Sequence, residues 1–370
     1  MKIGILTFWN SSDNYGQLLQ LYASEQILIK RGHEPYALKF DKGYALKKSL
    51  KYKIKSFWPI RLLRYIFNSS YRKVKINEKN NKYRQFDKFR NEKIIFGKEY
   101  YKSLSDLRKF CPKYDAVIVG SDQVWNFSWY SDKIEKIDTF FLNFLNESRK
   151  VAFACSFGKN NIDDIDCKEK IKQLLEKFDY VSVREESGVD ICKKMGISAE
   201  WICDPTLHLT INDYRELYNS ASVKKYTDRK YILFYYLNNG CNFNIDEVYD
   251  FANKKNLELL YVSGNGCLDD RKKIYPTIEE WLYLIDNAEY VITNSFHCCV
   301  FSCIFEKKFG VISLSGKSKG MNSRIDSLFR ICNIKERYIL ENDFSSLEKD
   351  VEQIKISDKN FINRYFDNLK

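Results

Sequence analysis

The chain has 370 residues and carries 61 Lys and Arg against 49 Asp and Glu, a net charge of +12. That length suits two domains better than one core, and with 44% hydrophobic and 16% aromatic residues the chain is not intrinsically disordered. The charge is concentrated: residues 42–98 hold 18 Lys and Arg and only three acids (Glu78, Asp87, Glu92), a segment of +15 on a remainder of −3. A near-neutral body with one basic insert argues against a protein that coats nucleic acid.

The first residues, KIGILTF at 2–8, predict a buried strand and are too short for a signal-peptide core. Residues 16–31 have helical spacing and end at Gly32; EPYALKF at 34–40 is the next strand, which makes a βαβ opening. The basic insert follows. Within it, residues 50–67 (LKYKIKSFWPIRLLRYIF) mix Lys and Arg with Phe57, Trp58, Leu62, Leu63, Ile66 and Phe67. Such basic and aromatic amphipathy suits an anionic membrane face, through Trp58, Arg61 and Arg64, or a helix covering a domain edge. Strands are expected at 114–125, 150–158 and 180–188, with a helix at 166–177 and another closing at Met195-Gly196. Residues 207–229 are polar and form the expected interdomain connection.

A second strand-helix series begins near Tyr231. Strands are expected at 231–237, 257–264, 289–295 and 309–314, and helices at 244–256, 277–288, 297–306 and 322–333. Repetition of this grammar predicts two doubly wound, Rossmann-like α/β domains facing a cleft, over 1–206 and 207–343. Residues 344–370 have helical spacing and are expected to pack back on the first domain. No run of 18 apolar residues predicts a membrane-spanning helix. Eleven irregularly spaced cysteines suggest reduced thiols in the cytoplasm. His297, Cys298, Cys299 and Cys303 bring zinc to mind, but no second pair completes a site, so no metal is expected.

In parallel sheets ligands bind beyond the carboxyl ends of strands, and four such places carry polar clusters. Thr7 to Gly16 includes Asp13 and Asn14 and lacks a Gly-x-Gly-x-x-Gly spacing; Gly16 opens a helix whose amides could hold an anion. Gly120-Ser121-Asp122-Gln123 offers Asp122 as a base or hydroxyl ligand, or as a helix cap. Arg184 ends a strand beside Glu185 and Glu186, either free to fork onto an anion or held in a surface ion pair. Thr293-Asn294-Ser295-Phe296-His297 places a cap and an imidazole at a helix start. A dianion bound there would favour a protonated His297, a usable acid, whereas a lone histidine is otherwise a structural one.

Taken together, TFWNSSDNYGQLLQLYA, YDAVIVGSDQVWN, AFACSFG, FDYVSVREESG, CDPTL, YLIDNAEYVITNSFHCCVFSCIF and NSRIDSL resemble the polysaccharide pyruvyl transferase family from residue 3 to about 337. The resemblance implies a GT-B-like fold and transfer of a pyruvyl group from phosphoenolpyruvate onto a sugar as a cyclic ketal. The implied acceptor is a capsule or exopolysaccharide precursor, often on a lipid diphosphate. It implies His297 as general acid and Arg184 as a donor contact, with Asn14, Gly16, Asn294 and Ser295 around the donor anion. Many members have an arginine where this chain has Ser295, and Arg324 is the expected substitute; members commonly have glycine where it has Cys298. Asp122 and Asp13 are the expected proton acceptors. The resemblance implies phosphoenolpyruvate as a substrate, and no cofactor, metal or nucleic acid is expected, with the protein expected in the cytoplasm or at the inner face of the membrane. Two alternatives share these features: a glycosyltransferase using a nucleotide sugar, and a non-catalytic glycan-assembly protein at the membrane surface.

Overall fold

The computed structural model describes residues 1–41, 58–127, 133–162, 164–218, 221–237, 241–316, 320, 322–340 and 343–349. Two sheets carry the fold. The first is built from β1 (Lys2–Leu6), β2 (Glu34–Phe40), β3 (Phe96–Tyr101), β4 (Ala116–Val119), β5 (Arg149–Cys155), β6 (Tyr180–Val183) and β7 (Glu200–Trp201), in the order β3-β2-β1-β4-β5-β6-β7. The second is built from β8 (Tyr231–Tyr236), β9 (Glu258–Ser263), β10 (Tyr290–Thr293), β11 (Phe309–Ile312) and β12 (Tyr338–Ile339), in the order β12-β11-β10-β8-β9. Every ladder between these strands is parallel. The carboxyl ends of the strands therefore line one edge of each sheet, where the polar loops emerge.

Both faces of each sheet are covered. Along β8, Tyr231, Leu233 and Tyr235 enter one core while Ile232, Phe234 and Tyr236 enter another, the period-two alternation of a strand buried on both sides. The first of these cores is continuous from Ile3 and Ile5 of the first sheet to Val291 and Val311 of the second. The two domains thus share apolar contact. The connection also joins it: Tyr214 and Leu217, on α9 (Ile211–Tyr218), are buried, and Tyr214 packs edge-on against Phe301 at 4.9 Å. Its polar sequence hides a helix with one apolar face.

The basic segment is more than an appendage. It contains α2 (Trp58–Phe67), α3 (Ser69–Asn80) and α4 (Phe86–Lys93), and residues 96–98 already belong to edge strand β3. Asn77 donates to the Cys267 carbonyl at 2.9 Å, and Lys73 pairs with Asp270 at 2.7 Å. Arg84, fully buried, donates to the Ser263 carbonyl at 2.5 Å and to the Tyr15 hydroxyl at the start of α1 (Tyr15–Ile29). Tyr15 in turn stacks on Trp281 at 4.8 Å and donates to the Pro276 carbonyl at 2.7 Å. This strap clamps the second domain to the first. Residues 42–57 and the side chains of Trp58, Arg61 and Arg64 lie outside the described residues, as does most of the tail. The part of the tail that is described does not pack on the first domain as expected: Phe344 stacks on Phe251 at 4.6 Å and Leu347 is buried in the second-sheet core. Among the described residues no helix is long and apolar enough to cross a membrane.

Candidate functional site

The strand-end loops converge on Asp204, which the sequence motif CDPTL contains but which carried no assigned role. Asp-Pro-Thr makes a tight 3₁₀ turn over Pro205–His208: Asp204 Oδ1 accepts from the Thr206 amide at 3.1 Å and its hydroxyl at 2.7 Å, with proline at the first turn position. Oδ2 is left facing the site. It accepts from Arg184 Nη1 at 2.9 Å, lies 3.1 Å from Ser121 Oγ, and sits 3.5 Å from His297 Nε2. Burial alone would raise the Asp204 carboxyl; His297 and Arg184 outweigh it and hold the group well below the usual carboxylate range.

Arg184, at the end of β6, is buried rather than in a surface pair. Besides Asp204 it meets Glu185 Oε1 at 3.4 Å, and its guanidinium lies over the Phe296 ring at 4.5 Å. Burial opposes its charge, but Glu185, Asp204 and Asp122 more than compensate and keep it cationic. Arg324, in the first turn of α13 (Ser323–Ile331), comes to the same ring at 5.9 Å. Burial, and then the charge of Arg184, push Arg324 down to about 10, with Glu185 and Asp122 opposing. Glu185 is itself fixed by Ser156 Oγ at 2.5 Å.

His297 sits in the first turn of α12 (Phe296–Ile304), capped by Ser295, whose hydroxyl accepts from the Cys298 amide at 3.4 Å. Its ring rests on the first domain: a Cβ on Gly16 would fall 2.1 Å from His297 Cγ. Only glycine lets α1 approach the imidazole this closely. Two buried polar atoms here, His297 Nε2 and Arg184 Nη2, make no hydrogen bond, although Nε2 faces the Asp204 carboxylate at 3.5 Å. Such atoms are costly unless something else satisfies them, and both belong to groups that bind anions.

Other expected contacts do different work. Asn14 caps α1 by accepting from the Gln17 amide at 3.2 Å. Asp13 accepts from Ser11 Oγ and the Asn265 amide, each at 3.2 Å, and so ties the loop to the second domain. Asn294 accepts from the Leu237 amide at 2.8 Å and donates toward Cys241 Sγ at 3.2 Å, joining β10 to the end of β8. These three side chains shape the loops around the site. Asp122 stays with the cluster: it is buried, adopts φ +68, accepts from the Gln123 amide at 2.8 Å and acts on both arginines. Cys298, Cys299 and Cys303 are buried in the core along α12. Among the described residues no group of three His, Cys, Asp or Glu is placed to hold a metal.

Behind Asp204, His208 Nε2 lies 3.1 Å from Cys203 Sγ, and burial pushes its imidazole down to about 4. An unfolded histidine binds its proton near pH 6.5. Stability is therefore expected to fall as pH drops from about 6.5 toward 4, because the unfolded chain takes up the proton first. His208→Gln should flatten that part of a urea-midpoint profile against pH; an unaltered slope would remove His208 as its source.

The model of the polysaccharide pyruvyl transferase family matches residues 14–316, a span that holds Asn14, Gly16, Asp122, Arg184, Asp204 and His297. No curated protein matches the chain. Among solved structures, the UDP-GlcNAc 2-epimerase of Methanocaldococcus jannaschii aligns with a TM-score of 0.55 at 11% identity, over 100% of this chain and 99% of that one. The enzyme of the same name from Neisseria meningitidis aligns with a TM-score of 0.52 at 10% identity, over 100% and 99%. That from Rickettsia bellii gives 0.54 at 10%, over 100% and 95%. These likenesses are of fold, two Rossmann-like domains in the GT-B arrangement. With the family model spanning most of its length, the chain belongs to the polysaccharide pyruvyl transferase family.

Proposed function

We propose that the protein transfers the pyruvyl group of phosphoenolpyruvate to two hydroxyls of a glycan acceptor, forming a cyclic ketal. The observation that carries this reading is a pair of buried atoms that make no hydrogen bond, Arg184 Nη2 and the His297 Nε2 that faces Asp204 at 3.5 Å, beside Arg324. The carboxylate or phosphate of such a donor gives Arg184 Nη2 the acceptor it lacks. The start of α12 adds its amides. His297 then gives a proton to the donor methylene, and positive charge develops at the carbon bearing the carboxylate and phosphate. A sugar hydroxyl attacks that carbon and phosphate leaves. A second hydroxyl closes the ring. One hydroxyl proton returns to His297 and the other departs through Asp122 to the phosphate. Asp204 touches neither reactant; it orients His297 and Arg184.

All of these side chains are buried, so the donor enters when the domains part and the site is completed when they close. Gly16 and His297 lie on opposite domains, and their contact sets the imidazole only in the closed form. Gly16→Ala is expected to lower kcat by roughly 10²-fold, the cost of displacing a reacting group by about an ångström. Its fold should survive, since alanine favours a helix over glycine. Saturating-donor kinetics with far-ultraviolet circular dichroism check this; unchanged kcat would separate Gly16 from the chemistry.

The deciding experiment incubates the protein with phosphoenolpyruvate and a panel of free and lipid-diphosphate-linked oligosaccharides. Phosphate release and a product heavier by one pyruvyl ketal are expected. Nucleotide release from a nucleotide sugar, with phosphoenolpyruvate untouched, would overturn the reading.

A further inference from the structure

The helix α2 turns its apolar side to solvent. An amphipathic helix normally buries that side in the core. Here Leu62, Leu63, Ile66 and Phe67 fall on one side of the helix at spacings of one, three and four, and they are 42%, 55%, 52% and 80% exposed. The helix packs against α3, joined to it by Asn68, which caps α3 by accepting from the Tyr71 amide at 2.8 Å. A contiguous exposed apolar face of this kind marks an interaction surface.

The charge of the sequence around it selects the partner. Six lysines lie between residues 42 and 55 with no acid among them, and the whole of 42–98 is +15. We infer that α2 lies in the surface of an anionic bilayer, its leucine, isoleucine and phenylalanine side chains among the acyl chains and the basic residues against the headgroups. A polyanion without an apolar phase would leave Phe67 and Leu63 in water; a second copy of the chain would meet the same positive charge. The attachment is firm on the protein side. Asn77 and Lys73 of α3 hold the second domain, and Arg84 holds both Ser263 and Tyr15, one residue from Gly16. The bilayer would thus be held at the domain boundary, the place from which a lipid-linked glycan enters the site. The inference stands independently of which donor the site uses.

The test is co-sedimentation of the whole protein with phosphatidylcholine vesicles, with and without phosphatidylglycerol. Binding is expected to the anionic vesicles, to weaken severalfold or more at high salt, and to fall roughly tenfold or more in L63S/I66S/F67S. Phe67→Ser alone, should the triple variant unfold in circular dichroism, is expected to weaken it severalfold. Failure of the wild type to bind anionic vesicles would overturn the inference, as would equal binding by a folded variant. A wild-type dimer in light scattering that the variant renders monomeric, without vesicle binding, would assign the face to a second copy instead.

Discussion

His297→Gln is expected to lower pyruvyl transfer by roughly 10²–10⁴-fold, the usual contribution of a positioned general acid. The fold should remain. Ser295 still caps α12, and glutamine keeps a polar group where Nε2 now lacks a partner. Phosphate release from phosphoenolpyruvate with a competent acceptor measures the loss. Turnover within tenfold of wild type would mean that the proton comes from another group.

The second large effect falls on Asp204. Its carboxylate is the partner of Arg184 and the neighbour of Ser121 and His297, and none of these is exposed enough for water to replace it. Asp204→Ala takes the nearest carboxylate from a buried guanidinium and leaves it only Glu185 at 3.4 Å, so the loss of stability is expected to be at most about 3–5 kcal/mol. Activity should fall as well, because His297 and Arg184 lose the group that orients them. The pH dependence follows from the depressed carboxyl. The unfolded group titrates near pH 4 and the folded one well below it. Its stabilisation is therefore complete above that unfolded value and is lost as pH falls toward the folded one. Urea unfolding at neutral pH measures the cost. The same titration carried into acid should show Asp204→Asn, unlike wild type, without this acid-side loss. Equal acid slopes in the two proteins would show that other carboxyls govern it.

The two effects differ in kind because the two residues do. In the proposed mechanism His297 acts on the arriving donor. Asp204 has every contact made and holds the others in place. A screen on activity alone would not separate them; stability at neutral pH does.

Much of this was open to inspection in the chain itself. The alternation of apolar strands with amphipathic helices predicts nearly every central element, because a strand buried on both faces needs a continuous apolar run and a covering helix needs a stripe. KIGIL, EPYALKF, YILFYY and YVIT all behave this way. Elements without such a run escaped: β3 (FGKEYY) is largely exposed at a sheet edge, and α3 and α4 are polar helices fixed by contacts with distant segments. His297, Arg184 and Asp122 could be singled out because strand ends in parallel sheets gather polar side chains, and Arg324 only through the family resemblance. Asn14, Asp13 and Asn294 were singled out by the same signal, since a loop-building side chain and a ligand-binding one look alike in one dimension.

Sequence alone determined the two-domain α/β plan, the family resemblance and the location of the basic charge, because these depend on local periodicity and composition. Tertiary structure alone decided which polar groups meet. Asp204 joins Arg184 from 20 positions away and His297 across the domain boundary. Gly16 matters because an imidazole from the other domain occupies the space a methyl would need. The basic segment is divided the same way: its charge is a property of the chain, but α3 clamps the second domain while α2 leaves its apolar side in solvent. Burial, pairing and exposure arise from contacts between distant residues, and only the folded chain specifies them.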